Sequence, residues 1–248
     1  MAQLRRLGVR AGGTLLVHAS LRGTGLRDTA LRDALLEALG PAGTLVVPAF
    51  TPENSDTSPA YLERVRGMTE EQAAAFRAAM PAFDPGVTPC PGMGRLAECV
   101  RRTPGAARSA HPQTSFAALG GRAAELTAGH PRDCHLGEES PLGALFRSGA
   151  QVLMINTGFA VCTAFHLAEY RIPSTGRRQY RCVVRENGKP FWYAYMDAEL
   201  DDGDFEAIGA DFSPVLLTEG QLGGTRAKLF SIKDAVDHAV VWMTEKRR

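Results

Sequence analysis

A histidine and a glutamate stand three residues apart in the segment Thr-Ala-Phe-His-Leu-Ala-Glu-Tyr-Arg, residues 163–171. On a helix, His166 and Glu169 would share one face. The segment follows an apolar run, 152–155, and the turn residues 156–158, so it lies where a buried strand ends, the usual position of sites in open α/β sheets. An imidazole held by a carboxylate is a common general base near neutral pH. The spacing therefore predicts that His166 is a base oriented by Glu169.

A second apolar run ends in residues that could act on the same chemistry. His18 follows the run 14–17, and Ser20 and Leu21 come directly after it. Backbone N–H groups at such a turn could stabilise an anion or a developing oxyanion. A histidine that simply bonds a backbone carbonyl is the alternative for His18.

Cysteine chemistry is a weaker option. Cys162 lies four residues before His166 and could be a nucleophile, although a buried, unreactive thiol is the more common fate of such a residue. The five cysteines are scattered without any Cys-x-x-Cys spacing, which predicts neither a zinc site nor a disulfide framework. The pair His-x-x-Glu offers two metal ligands and no obvious third, so we expect no metal.

The elements that position these residues predict an α/β fold. The leucines 31, 35, 36 and 39 form a helical stripe that begins near Asp28 and stops at Gly40. Glycine turns lead into apolar strands on both sides of this helix. Strand, helix and strand of this length make a βαβ unit. We therefore expect a mixed, mainly parallel central sheet with flanking helices.

Further signals complete a single domain spanning residues 1–248. Residues 52–94 are rich in Pro, Gly, Thr and Ala and predict an inserted loop-helix segment, with a helix from a Thr69–Gln72 capping box to about Met80. The other predicted elements are a helix over 95–102, a helix capped by Ser140 with Pro141 first, a β-hairpin over 178–196 turning at Asn187-Gly188, and a last helix starting at Ser231.

Composition narrows the classes of partner. The chain has 248 residues, 28 basic and 27 acidic, for a formal net charge of +1. That balance argues against a general electrostatic grip on nucleic acid or on a membrane. No apolar run reaches the ~20 residues of a membrane span, and the first ten residues lack the apolar core of a secretory signal. We expect a cytoplasmic protein.

Four sequence blocks, in this order, resemble the aminoglycoside 3-N-acetyltransferase family, the acetyl-CoA-dependent antibiotic acetyltransferases. The blocks are Leu-Leu-Val-His-Ala-Ser-Leu at 15–21, Ser-Ala-His-Pro-Gln-Thr-Ser-Phe-Ala-Ala at 109–118, Leu-Gly-Glu-Glu-Ser-Pro-Leu at 136–142, and the His-Leu-Ala-Glu-Tyr of 166–170. The resemblance runs from about residue 4 to the C-terminal helix. It implies acetyl-CoA as cosubstrate, a small-molecule amine as acceptor and, since relatives often pair, a homodimer.

The resemblance also implies roles for individual residues. His166 would be the base, Glu169 its orienting partner, and His18 with the Ser20 and Leu21 amides would serve the thioester. From the second block, Ser109, Ser115 and Phe116 would bind the CoA arm, although a turn and plain core packing also account for them. On the acceptor side, the expected substrate-binding residues are Tyr61, Glu138, Asp201 and Asp202; helix N-terminus stabilisation and a solvated loop are the alternatives for the carboxylates.

The chain departs from the family at one point. Many members carry an acidic residue just before the Thr-x-x-His segment, where this chain has Ala160 and Val161. Acidic groups are the natural partners of a polycationic aminoglycoside. The leading hypothesis is acetyl transfer to an aminoglycoside, with the 3-amino group of deoxystreptamine implied by the resemblance. The alternatives are N-acetylation of another amine in a biosynthetic pathway, a His/Glu hydrolase, and a non-catalytic CoA-binding protein.

Overall fold

Seven strands form the central sheet of the computed structural model, which describes residues 2–247, and two more form a separate hairpin. In chain order the strands are β1 (Thr14–Ala19), β2 (Thr44–Pro48), β3 (Ala107–Arg108), β4 (Phe116–Gly120), β5 (Gln151–Ile155), β6 (Arg177–Glu186), β7 (Lys189–Ala198), β8 (Leu217–Leu222) and β9 (Thr225–Ser231).

Helices cover both faces of the sheet. They are α1 (Ala2–Leu7), α2 (Asp28–Leu39), α3 (Pro59–Val65), α4 (Glu70–Ala78), α5 (Gly94–Arg101), α6 (Ala123–Thr127), α7 (Pro141–Arg147), α8 (Phe165–Glu169), α9 (Phe205–Ala210) and α10 (Ile232–Lys246). None of the helices within residues 2–247 has the length and apolar composition needed to cross a bilayer.

The sheet order is β3-β4-β2-β1-β5-β9-β8. A mixed sheet in an α/β domain is confirmed, and β1, α2 and β2 form the predicted βαβ unit, with β1 parallel to β2. The expectation that the sheet would be mainly parallel needs correction. Only the central strands β2, β1 and β5 run parallel, whereas every outer pair is antiparallel. The pairs β3–β4 and β8–β9 join strands that are consecutive in the chain, which need no crossover helix. By contrast, β4 and β9 reach β2 and β5 only after long connections that contain helices.

Alternate residues of the central strands face two separate apolar layers. On β1, Leu16 packs with α6 to α10, while Leu15 and Val17 pack with α1, α2 and α5. This period-two alternation, with apolar residues on both sides, is what a sheet buried on both faces requires. The three-layer arrangement leaves the carboxyl ends of β1 and β5 open at one edge.

Several predicted helix ends are confirmed by their caps. The Ser140 hydroxyl accepts a hydrogen bond from the Leu142 N–H ahead of Pro141. The reciprocal Thr69–Gln72 capping box is present at the start of α4. Ser231 caps α10 through the N–H groups of residues 233 and 234. Each cap satisfies backbone donors that the first helical turn leaves unpaired.

The predicted hairpin and insertion are also present, with additions. Strands β6 and β7 pair across the Asn187-Gly188 turn. The inserted segment contains α4 as expected and a second helix, α3, that the sequence pattern did not predict. The hairpin contacts the insertion, since Val183 packs with Met80 and Ala82.

A cluster of buried histidines lies where the hairpin meets the core. The rings of His111 and His130 stack at 4.7 Å between centroids, and His111 lies 4.6 Å from His135. The Tyr195 hydroxyl from β7 lies 2.7 Å from His135 Nε2. Burial lowers the pKa of His130 to about 4 and of His135 to about 3, and lowers that of His111 well below its usual value. All three are therefore neutral at pH 7.

We expect the free energy of unfolding to fall as the pH drops from 7 to 5.5. An unfolded histidine has a pKa of about 6.5, so below that pH the unfolded chain takes up protons that the folded cluster refuses. The contribution of the neutral cluster to stability is fully present above about pH 6.5 and decreases below it. At pH 5.5 the loss is about 1.4 kcal/mol for each histidine. Urea unfolding at pH 7.5, 6.5 and 5.5 measures this. His130→Gln should weaken the pH dependence by one histidine's share, and a pH-independent free energy would contradict the expectation.

Candidate active site

A cleft of about 750 Å³ opens at the carboxyl ends of β1 and β5. His18 and Ser20 line it from the end of β1, and His166 lines it from α8. The opposite wall comes from the start of α5, including Gly94 and Arg95. The cleft therefore lies where the sequence predicted a site, outside the carboxyl ends of parallel strands.

The loops at this edge are fixed by backbone bonds. The Ser20 N–H donates to the Ile155 carbonyl at 3.0 Å, and the Asn156 side chain donates to the carbonyls of Ser20 and Arg22 at 3.0 and 3.2 Å. Asn156 has a φ of 53°, a left-handed conformation that asparagine tolerates better than most residues. Gly94, with φ of 84°, comes so close to the Ala19 carbonyl that a Cβ would lie 3.3 Å from that oxygen.

His166 and Glu169 form the pair that the sequence predicted. His166 Nδ1 lies 2.6 Å from Glu169 Oε2, three residues along the same helix. Because a carboxylate only accepts hydrogen bonds, Nδ1 carries the proton and Nε2 is left as the acceptor. The imidazole packs edge-on against Phe205, with the centroids 4.7 Å apart. The ring is thus fixed in orientation and in tautomer.

Glu169 is completely buried, and its second oxygen is bonded twice. Oε1 accepts from the Asp201 N–H at 2.8 Å and from Arg247 Nη1 at 2.6 Å. A buried carboxylate stays ionised only when hydrogen bonds or opposite charges replace its water. Arg247 in turn pairs with Asp204.

His18 faces the cleft without using its Nε2. That nitrogen is buried and has no hydrogen-bond partner within residues 2–247. Burial, and secondarily the charge that His166 would carry when protonated, lower the pKa of His18 to about 4. The side chain is therefore neutral at pH 7. The expected alternative, a histidine whose Nε2 bonds a backbone carbonyl, does not describe it.

The backbone N–H groups of Ser20 and Leu21 differ in whether they already donate a hydrogen bond. Both line the cleft, but the Ser20 N–H is already bonded to Ile155, so it is not free for an oxyanion. No hydrogen bond within residues 2–247 uses the Leu21 N–H. The Leu21 amide remains a candidate donor and the Ser20 amide does not.

The residues expected to hold the CoA arm from the second block are not at the cleft. Ser109, Ser115 and Phe116 are buried to within 1% of their surface. The Ser109 hydroxyl bonds His130, and the Ser115 hydroxyl donates to the Ala49 carbonyl. These residues hold β3, β4 and the histidine cluster together. The two serine hydroxyls have partners inside the protein, and the Phe116 ring lies in the core. Binding of the CoA arm by these three residues stays a prediction.

The residues expected on the acceptor side are dispersed. Asp202 lines the cleft, and Asp201 contacts Glu169 through its backbone. Tyr61, on α3, packs beside Phe76 with the ring centroids 6.0 Å apart. Glu138 pairs with Arg171 at 2.7 Å on the surface. Neither Tyr61 nor Glu138 lines the cleft, and their part in acceptor binding stays a prediction.

Cys162 has no catalytic exposure. It is fully buried, and burial raises the pKa of its thiol to about 12. A thiol with that pKa is not a nucleophile at neutral pH. Within residues 2–247, no group of three or more His, Cys, Asp and Glu side chains is arranged to hold a metal ion.

The cleft also contains residues that the sequence did not single out. Arg22 and Arg95 line it, together with the first turn of α5. The Thr157 hydroxyl is buried there without a partner in the described part of the chain. The signal for Thr157 was present in the strand-ending Asn-Thr-Gly, but nothing in that triplet distinguishes a turn from a binding group.

Comparison with known proteins identifies the class of this site. The family profile described as aminoglycoside 3-N-acetyltransferase matches residues 16–244. The chain belongs to the aminoglycoside 3-N-acetyltransferase family. It is therefore an acyltransferase by descent, and the cleft with its His–Glu pair lies inside the matched region.

Individual relatives match over nearly their whole length. The chain is 35% identical to the SPbeta prophage-derived aminoglycoside N(3')-acetyltransferase-like protein YokD of Bacillus subtilis, over 96% of this chain and 89% of that protein. The crystal structure of YokD gives a TM-score of 0.91 at 33% identity, covering 99% and 92% of the two chains.

Two similar structures contain ligands. AAC-VIa bound to sisomicin has a TM-score of 0.84 at 29% identity, with coverage of 99% of this chain and 96% of that chain. AAC-IIIb in a binary complex with CoASH has a TM-score of 0.85 at 26% identity, with coverage of 99% and 94%.

We expect the His18→Phe variant to be at least as stable as the same protein with His18. The buried Nε2 has no partner, and an unsatisfied polar atom costs about 1–3 kcal/mol, while the adjacent cleft leaves room for the larger ring. The matched control is His238→Phe, which removes a hydrogen bond of 3.0 Å to the Ile208 carbonyl and should lower stability by about 1 kcal/mol. Urea unfolding at pH 7.5 compares them. Any loss of stability of His18→Phe relative to the native protein would contradict the expectation.

Proposed function

We propose that this chain transfers the acetyl group of acetyl-CoA directly to a primary amine of an aminoglycoside, at the 3-amino group of the deoxystreptamine ring. His166 is the general base and Glu169 orients it. The observation that carries this proposal is the 2.6 Å pair of His166 Nδ1 and Glu169 Oε2 in the wall of the cleft. That pair leaves the Nε2 lone pair available for a proton.

The proton transfers follow from the needs of an amine acceptor. An ammonium has no lone pair, so the acceptor first loses one proton to the solvent and reacts as the neutral amine. As its nitrogen forms a bond to the thioester carbonyl carbon, His166 Nε2 accepts a second proton from that nitrogen. The carbon–sulfur bond then breaks, and the departing sulfur takes this proton from the imidazolium, which leaves a neutral amide and the CoA thiol. Glu169 stabilises the imidazolium without being protonated itself. A base so placed contributes roughly 10²–10⁴-fold.

The thioester side of the cleft has neutral donors and acceptors. The Leu21 N–H is the candidate donor to the carbonyl oxygen as it gains negative charge. His18 is neutral at pH 7 and its unpaired Nε2 lies at the same strand end. Holding both reactants here makes the transfer effectively unimolecular, which lowers the barrier further.

The residues present fit the anionic part of CoA. Arg22 and Arg95 line the cleft beside the first turn of α5, where unpaired N–H groups and the helix dipole favour phosphate. The CoASH complex of AAC-IIIb supports CoA as the cosubstrate of this chain as well.

The acceptor assignment is supported by the sisomicin complex of AAC-VIa and by Asp202, a carboxylate in the cleft wall. A second candidate, a primary amine other than an aminoglycoside, is favoured by a separate observation. Ala160 and Val161 line the cleft where the family often has an acid, and the charged lining is two arginines against one aspartate. Such a lining suits an acceptor with few positive charges.

Replacement of His166 tests the reaction. We expect His166→Ala to lower kcat by about 10²–10⁴-fold, while the KM for acetyl-CoA stays within about threefold, because the base acts mainly in the transition state. The measurement is release of the CoA thiol with a panel of aminoglycosides and simple amines. His238→Ala, outside the cleft, is the control. Near-normal turnover of His166→Ala would end the base assignment, and CoA release without any amine would point to hydrolysis.

Replacement of Asp202 tests the acceptor. We expect Asp202→Asn to raise the KM for aminoglycosides by up to about fivefold, since one exposed ion pair with a cationic ligand contributes up to roughly 1 kcal/mol. The KM for a monoamine should change less than about twofold. Equal effects on both acceptors, or wild-type turnover with monoamines only, would favour the second candidate.

A further inference from the structure

The side chain of Arg247 donates four hydrogen bonds to groups next to His166. Nε and Nη2 bond the two oxygens of Asp204 at 2.7 and 2.5 Å, Nη1 bonds Glu169 Oε1 at 2.6 Å, and Nη2 also donates to the Asp201 carbonyl at 2.7 Å. The guanidinium thus joins the end of α10, the middle of the site and the loop before α9. Its position lies beyond residues 16–244, the part matched by the family profile.

One consequence concerns the charge on Glu169. The carboxylate has no exposed surface, and of the groups that bond it, only Arg247 carries a permanent positive charge; the others are a backbone N–H and the imidazole of His166. Without the guanidinium, a buried carboxylate would be left with its desolvation cost largely uncompensated. The carboxylate and imidazole would then hold a proton more tightly. The imidazole would stay protonated, and therefore unable to act as a base, up to a higher pH.

A second consequence concerns the loop of residues 201–205. Arg247 bonds the side chain of Asp204 and the carbonyl of Asp201, while the Asp201 N–H is bonded to Glu169. The same loop places Asp202 in the cleft wall and Phe205 against the ring of His166. The guanidinium therefore fixes both the Glu169 carboxylate and the loop that leads to Phe205, and both of these residues contact the His166 imidazole.

We propose that Arg247 is a positioning residue that keeps Glu169 ionised and aligned and fastens the 201–205 loop against His166. The proposal rests on the function proposed above. The arginine touches neither donor nor acceptor; it acts through Glu169, Asp204 and the loop. The charged and titratable groups around the pair include Arg247, Asp204, Asp202 and two imidazoles, His18 and His135, that interact electrostatically with His166.

Two substitutions separate charge from geometry. Arg247→Gln removes the charge, and Arg247→Lys keeps it but loses the fork that bonds two carboxylates at once. We expect Arg247→Gln to lower kcat by about 10–100-fold, as misplaced groups do, and to move the acid limb of kcat/KM to higher pH by about one unit, since a charge at bonding distance is worth that much or more at an effective dielectric constant near 20. Arg247→Lys should lower kcat but leave the acid limb in place.

A control and a direct readout complete the test. Arg122→Gln removes an arginine from a surface pair with Glu125 and should change neither quantity. In parallel, NMR titration of the imidazole nitrogens in ¹⁵N-histidine-labelled protein follows His166 without substrate. We expect its titration to move upward in Arg247→Gln and not in Arg247→Lys. An unmoved titration and acid limb in a folded Arg247→Gln would overturn the proposal.

The NMR measurement also keeps the two proposals apart. If the wild-type protein released no CoA with any amine, the proposed function would fail, while the titration would still decide whether Arg247 controls the charge of the pair. If the wild type turned over and the titration did not move, only the role of Arg247 would fail.

Discussion

The candidate active cleft depends on a carboxylate, Glu169, that the fold buries completely. Burying an ionised group costs several kcal/mol unless its lone pairs are satisfied, so the elements around Glu169 must arrive at fixed distances. Helix α8 brings the imidazole, the 201–204 loop brings a backbone N–H, and the end of α10 brings a guanidinium. A buried charge of this kind contributes little net stability; what it gives is one orientation and one tautomer of the base.

The parallel pairing of β1 with β5 determines where the proposed base lies. The register places His18 opposite Met154 and Ala19 opposite Ile155, so the two strands end at the same level and their following loops form one wall. Asn156 then bonds the loop after β1. Had the strands been antiparallel, the residues after β1 would lie at the opposite edge from α8, and no cleft would contain both histidines.

Sequence reasoning found the parts of this site whose signal is local. His166 and Glu169 are one helical turn apart, so their contact follows from helix geometry alone, and the caps of α4, α7 and α10 are equally local. Arg247 bonds Glu169 across 78 positions of chain, and nothing in a C-terminal basic residue indicates which carboxylate it will meet. The β8–β9 hairpin was missed for a related reason, because its first strand, Leu-Thr-Glu-Gly-Gln-Leu, is half exposed and has a central glycine.

The predictions for the cofactor-binding residues rest on a different kind of signal. Ser109, Ser115 and Phe116 belong to a motif shared with the family, and a shared motif can mark either a site or a piece of structure. The buried hydroxyls of Ser115 and Ser109 bond Ala49 and His130, which is a structural use of the motif. From the sequence, the apolar run 116–118 could equally pack in the core or against a ligand. Fold class and the contact between His166 and Glu169 were therefore readable from the chain, while the lining of the cleft was not.

The charges of the cleft wall constrain how the two substrates share it. Arg22 and Arg95 attract anions and repel a cationic acceptor, so such an acceptor gains most when the phosphates of CoA already occupy that side and neutralise it. Arg95 is also paired with Asp28, at 3.4 Å, which weakens but does not cancel its positive field. Asp202 is the carboxylate that lines the cleft within residues 2–247. In the proposed reaction, this excess of positive charge favours donor binding before acceptor binding, because the bound donor removes the repulsion that the acceptor would otherwise meet.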